Sequence, residues 1–142
     1  MAEEIGPVEI VPPGEGPEAL GDLVLVCDHA RPRVPPEIGT LGLPEADMAR
    51  HIAYDIGARG VTRGLAERLG AGAVLTTVSR LVIDPNRAED DPTLVMRLYD
   101  GSIIPGNRGI GRDEARRRIE AYHRPYHRAI DAALDRILAA GR

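Results

Sequence analysis

The sequence predicts an α/β protein, a three-layer arrangement in which a mainly parallel or mixed sheet carries flanking helices. Three observations predict it. Two short β-rich apolar runs, Leu23 to Cys27 and Ala73 to Val78, read as strands buried in a sheet. Apolar residues at helical spacing follow each of them, first at Met48, Ile52, Ile56, Leu65 and Leu69, later from Ala115 to Leu138. Loops rich in Pro and Gly separate these segments. Strands alternating with helices in one chain are the pattern of an α/β sheet.

The elements follow in order. Residues 1–20 hold Pro and Gly too often for a helix or a central strand, and read as an extended arm, with one domain over residues 21–142. Leu23 to Cys27 reads as a central strand, and Asp28 to Pro44, with four prolines, as an irregular loop leaving its C-terminal end, where α/β sheets bind ligands. Residues 45–69 predict one kinked helix or two short ones, interrupted at Gly57 and Gly60. After the strand at Ala73 to Val78, Leu81-Val82-Ile83 reads as a further strand that delivers Asp84 to Arg87 into a loop. Residues 88–111 form a long loop around Leu94-Val95-Met96. Asp113 is placed to cap a last helix, kinked at Pro125, with Ala115, Ile119, Tyr122, Tyr126, Ile130, Ala133, Ile137 and Leu138 as its inward stripe. A helix with no strand after it reads as a pattern that stops short.

A chain of 142 residues suits one domain, which would bury roughly two-thirds of its unfolded surface. With no Phe, no Trp and four Tyr, its core must be aliphatic. A net charge of −4 and a pI near 5.6 give no electrostatic footprint for nucleic acid or an anionic membrane. Cys27 stands alone and no CxxC pair occurs, which fits a reducing, cytoplasmic setting, as does an acidic N-terminus without an export signal. Apolar runs fall far short of the ~20 residues of a membrane span.

Four groups of residues could carry chemistry. Asp28 and His29 stand where a buried strand meets a loop, and either begin a metal site or merely hydrogen-bond the loop. His51 and Asp55, four apart on the expected helix, present an imidazole and a carboxylate on one face, to chelate a metal or to form an ordinary surface pair. Arg80, Asp84, Asn86 and Arg87 surround one strand end, with guanidinium forks suited to a carboxylate; equally, Asp84 pairs an Arg and Asn86 shapes a turn. His123 and His127 share a helix face, but Arg124-Pro125 between them supplies no HExxH glutamate, so a partly exposed helix face accounts for them. Gly106, Gly109 and Gly111 match no phosphate-binding loop, and Cys27 reads as core.

In order along the chain, VCDHARPRVP (26–35), HIAYDIGA (51–58), SRLVIDPNR (79–87) and YHRPYH (122–127) resemble successive motifs of the N-formylglutamate amidohydrolase family, over nearly all of the chain beyond residue 20. The resemblance implies a hydrolase fold, phosphorylase/hydrolase-like and similar to zinc carboxypeptidases and aspartoacylases. It also implies zinc-activated water attacking an N-formyl or N-acyl acidic amino acid to give, from N-formylglutamate, formate and glutamate. Carried over to this sequence, His29 would be a metal ligand, with Asp55 as the carboxylate ligand and Asp28 as its rival. The carboxypeptidase pattern HxxE is not met, since Pro32 stands three after His29. Asn86 and Arg87 resemble a pair that binds substrate carboxylate, with Asp84 beside them, and Arg80 would stabilise the developing oxyanion.

Family members continue into an HSFTP-like motif with a further metal-binding His, whereas this sequence ends at Arg142. The expectation is therefore the N-terminal portion of a hydrolase domain, with a metal site short of a ligand. Two alternatives stand beside it: a non-catalytic carboxylate-binding protein, or a complementing subunit that offers its sheet edge to a partner in an oligomer.

Overall fold

A computed structural model describes residues 3–141, with side chains from residue 6 onward. Its main sheet has four strands in the order β1 (Glu3–Ile5), β2 (Val8–Val11), β4 (Gly72–Thr76), β3 (Val24–Cys27). β1 and β2 form an antiparallel hairpin, β2 runs antiparallel to β4, and β3 runs parallel to β4 in register Val24↔Gly72 to Cys27↔Leu75. The sheet is thus mixed, with a single parallel pair among the described strands. Every residue of β4 is buried, which is why its run lacks polar alternation.

The helices α1 (Glu45–Met48) and α2 (Ala58–Leu69) lie between β3 and β4 in sequence. Ala73 and Leu75 of β4 pack with Cys27, Ala30 and Ala66 on the α2 side. Their neighbour Val74 points the other way, to Val8, Tyr126 and Ala133. α2 ends at Gly70, which has a left-handed φ of +59° and where a Cβ would come within 2.7 Å of the Ala19 methyl, so there is no room for a side chain. A two-stranded hairpin, β5 (Leu98–Tyr99) and β6 (Ser102–Ile103), precedes α3 (Arg112–Arg118), a π turn over Ile119–His123 and α4 (Arg124–Ala139).

Several expectations are corrected. The arm is not separate from the sheet: residues 3–11 supply its first two strands and the turn between them, β1 paired with β2 and β2 with β4, while Met1 and Ala2 lie outside the described residues. β3 is an edge strand of the described sheet, with Val26 49% exposed. His51 and Asp55 are not on a helix, since the chain from Ala49 to Gly57 is irregular. The last helical stretch starts behind Gly111, not at an Asp113 cap.

Leu81-Val82-Ile83 is no strand either. The segment is fully buried in a second apolar cluster with Ile52, Val78, Leu94, Met96, Ile104 and Tyr122. Side chains meet its carbonyls in place of a neighbouring strand. Buried Asn107 donates to Leu81 O at 2.7 Å and to Met96 O at 2.8 Å, and Arg118 donates to Val82 O at 3.0 Å and to Asn107 Oδ1 at 2.8 Å.

The hairpin is tied to the helical side by a buried charge. Glu9, 1% exposed, accepts hydrogen bonds from Arg31, Arg59 and Arg63. Burial pushes its carboxyl up, but the bonds from Arg59, Arg31 and Arg63 outweigh that and hold it at about 2, against an ordinary 4.5. A depressed folded-state pKa gives stability that is present above 4.5 and is lost as pH falls toward about 2. Glu9→Gln should therefore unfold more readily than the parent at neutral pH, and the gap between them in urea melts should close on acidification through that window. A gap independent of pH would contradict this.

Candidate functional site

The C-terminal end of β3 turns at once into Asp28 and His29, which places them at the mouth of an open cleft lined also by Cys27, Asp55, Gly57, Thr62 and Asn86. His29 itself is 6% exposed. Its Nε2 lies 2.6 Å from Oδ1 of Asp84, a carboxylate that is 2% exposed. On the other side, Nη2 of Arg80 lies 2.7 Å from Nδ1. A guanidinium can only donate, so Nδ1 is the acceptor, and Nε2–H is then the donor to Asp84. The ring is fixed in one tautomer with its lone pair toward Arg80.

Asp55 completes the group. Its backbone N–H donates to His29 O at 2.9 Å, its Oδ1 accepts from Arg80 Nη1 at 3.0 Å, and its Oδ2 stands 3.3 Å from His29 Nδ1. Arg80 thus bridges the imidazole lone pair and the carboxylate, as a cation between two donors. Its own position is set by the Tyr99 ring, 5.2 Å from the guanidinium carbon. The adjacent segment is equally tied, with Ser79 N–H on Arg33 O at 2.7 Å and Ser79 Oγ on Ala53 O at 2.8 Å. Three loops far apart in sequence are locked around one imidazole.

Asp84, expected beside the substrate carboxylate, is buried and turned to His29, the Asn86 amide and Arg87. Oδ1 accepts from His29 and from Asn86 N–H at 2.9 Å, and Arg87 Nε stands 3.8 Å from Oδ2. Burial pushes the Asp84 carboxyl up, but the hydrogen bonds from His29 and the Asn86 amide and the nearby charge of Arg80 hold it below the ordinary carboxylate range. Asn86 and Arg87 are exposed, and Asn86 borders the cleft.

Asp28 lies in the same cleft but is bound elsewhere, its Oδ1 accepting from the Tyr126 hydroxyl at 2.6 Å. The pairing expected of His51 with Asp55 is absent: His51 Nε2 meets Asp100 Oδ2 at 2.7 Å, on the β5–β6 hairpin. The apolar run alone did not announce that Asp84 would serve His29, because the partners are 55 residues apart.

The donors at hand suit zinc in kind, one imidazole lone pair and one carboxylate, the imidazole oriented by a buried acid in the manner of a carboxylate–histidine–zinc triad. Among the described residues no three His, Cys, Asp or Glu side chains converge as a metal site. A catalytic zinc normally takes three protein ligands, so this group fits as part of such a site.

Removing the Asp84 carboxylate should destabilise the fold, because His29 Nε2–H and the Asn86 amide both lose their acceptor, at about 1–3 kcal/mol for each donor left unpaired. Asp84→Ala should lower the melting temperature by several degrees and Arg87→Ala should barely change it, in scanning calorimetry. Equal and small effects would place Asp84 outside the core of the site.

A sequence model described as N-formylglutamate amidohydrolase matches residues 21–142. The N-formylglutamate deformylase of Pseudomonas putida is 35% identical over an alignment of 105 positions that covers 67% of this chain and 36% of that protein. A gene product of Agrobacterium tumefaciens of known crystal structure superposes with a TM-score of 0.88 at 34% identity, over 96% of this chain and 52% of that one. The crystal structure of an N-formylglutamate amidohydrolase from Ralstonia eutropha gives 0.70 at 27% identity, over 96% of this chain and 53% of that one. The chain therefore spans about a third of the matched curated relative and about half of these solved chains. The order of the motifs, the fold and the matched length lead to one conclusion: this chain belongs to the N-formylglutamate amidohydrolase family.

Proposed function

We propose that this chain carries the part of a metal-dependent amide hydrolase that orients a catalytic zinc and grips an N-formyl or N-acyl acidic amino acid, N-formylglutamate in the first instance. The observation that carries the reading is the His29 ring, pinned through Nε2 on buried Asp84 with Nδ1 turned to Arg80 and Asp55. Helices against both sheet faces support a three-layer, phosphorylase/hydrolase-like arrangement. The chain acts, on this reading, in the cytoplasm on a small acidic substrate, with neither nucleic acid nor membrane as partner, and a second chain of the same or complementary sequence is a possible companion. No described helix is long and apolar enough to cross a membrane.

His29 and Asp55 would hold the zinc, Asp28 being committed to Tyr126. When bound, zinc supplies a water of lowered pKa and a polarised amide carbonyl. Exposed Asn86 and Arg87, beside the cleft, take the substrate carboxylate through an amide and a guanidinium fork. Arg80 has its Nε buried without a hydrogen-bond partner, and its Nη groups at the two donors, so it can follow developing negative charge on the carbonyl oxygen. Water adds to the formyl carbon, the C–N bond breaks, and the amine leaves protonated, giving formate and glutamate.

A second reading, non-catalytic carboxylate binding, draws on one observation: Arg80 already bridges His29 and Asp55, and two donors alone would hold zinc weakly. The test is formate release from N-formyl-L-glutamate by the purified chain with and without added zinc, beside calorimetric binding of the same compound. Zinc-dependent turnover that falls at least roughly a hundredfold in kcat/KM in Arg87→Ala would support the hydrolase. Binding without turnover would favour the second reading. Neither turnover nor binding would overturn both.

A further inference from the structure

Of the YHRPYH motif, only Tyr126 has entered the site described so far, through Asp28. We infer that His123 and His127 are positioning residues, a pair of imidazole clamps that set where Asn86 and Arg87 stand. The inference rests on the reading of those two residues as the grip for a substrate carboxylate.

The geometry is direct. His123 Nε2 lies 2.8 Å from Arg87 O, and His127 Nε2 lies 2.9 Å from Pro85 O. A carbonyl can only accept, so each ring carries its proton on Nε2. Nδ1 of His123 is buried without a partner, so this ring spends its one hydrogen bond on the Arg87 carbonyl. Between the two histidines in sequence, Arg124 donates through Nε and Nη2 to the Glu89 carboxylate at 2.7 and 2.9 Å. Residues 85, 87 and 89 are thus each bound to the start of α4. Asn86, between two of them, borders the cleft instead.

Positions i, i+3 and i+4 of a helix share a face, and here they are His123, Tyr126 and His127. Tyr126 donates to Asp28 from that face, so one helix end holds both loops that flank His29. The two imidazoles stack at 4.5 Å between centroids, which fixes each against the other. The π turn over Ile119–His123, closed by Arg124 N–H on Ile119 O just before Pro125, is a local rewinding of the helix that sets the angular position of His123. A pair of histidines that looks like a partly exposed helix face in sequence is, in the fold, two donors aimed at one turn.

His127 is exposed and is the variant to make, because its replacement leaves the core intact. His127→Phe keeps the ring and loses the donor; His127→Gln restores an N–H at nearly the same reach. Amide hydrogen exchange at Asn86 and Arg87, whose N–H groups bond Asp84, reads the turn without any ligand. Calorimetry with N-formyl-L-glutamate reads the grip.

The expected result is exchange at both amides faster by roughly tenfold or more in His127→Phe, back to within about threefold of the parent in His127→Gln, with affinity following the same order. Parent-like exchange in His127→Phe would overturn the clamp, as would a Gln variant no better than Phe. Faster exchange with affinity unchanged in His127→Phe, but lost in Arg87→Ala, would also overturn it, since the grip would then not depend on the turn. If the exchange results hold and Arg87→Ala binds like the parent, the clamp on the turn stands and the carboxylate reading of Arg87 falls.

Discussion

A buried carboxylate cannot be left unpaired, and the site is arranged around that constraint. Asp84 sits in the second apolar cluster, where an isolated charge would cost several kcal/mol, and it is kept ionised by the His29 ring and the Asn86 amide. Satisfying it draws the end of β3 and the segment after β4 together. Because His29 spends Nε2 on Asp84, its remaining nitrogen is left as an acceptor, and it takes the Arg80 guanidinium, which also holds Asp55. The orientation of the one imidazole that could ligate a metal is thus a consequence of burial.

Arg80 gives the site its electrostatic character. Its guanidinium lies between an imidazole lone pair and a carboxylate, and both accept from it. Its charge is met there by Asp55, one of two carboxylates, with Asp28, that line the cleft. The arginine would have to yield its place at Nδ1 for a metal to enter.

Much of this was legible in the sequence. β4 and the end of β3 follow from unbroken apolar runs, α2 from its Gly-bounded amphipathic stretch, and the motifs taken in order pick out His29, Arg80 and Asp55, which the fold brings within hydrogen-bond distance of one another. What was hidden is what depends on partners distant in sequence. Leu81-Val82-Ile83 has the composition of a strand, and only Asn107 and Arg118, 26 and 36 residues away, reveal that side chains satisfy it. Val8 to Val11 looked broken by prolines, yet those prolines flank the strand and its buried Glu9 is met by arginines of three distant positions. Asp84 was read as a substrate residue because composition does not distinguish a carboxylate that faces a ligand from one that turns a histidine.

The central claim is that Asp84 fixes the His29 tautomer. Long-range nitrogen-15 NMR correlation of the His29 ring at neutral pH tests it most directly. The account predicts a proton on Nε2 and the chemical shift of an unprotonated, accepting nitrogen at Nδ1, with that preference lost in Asp84→Ala. A proton on Nδ1 in the parent chain, or a ring that exchanges freely between tautomers, would contradict it.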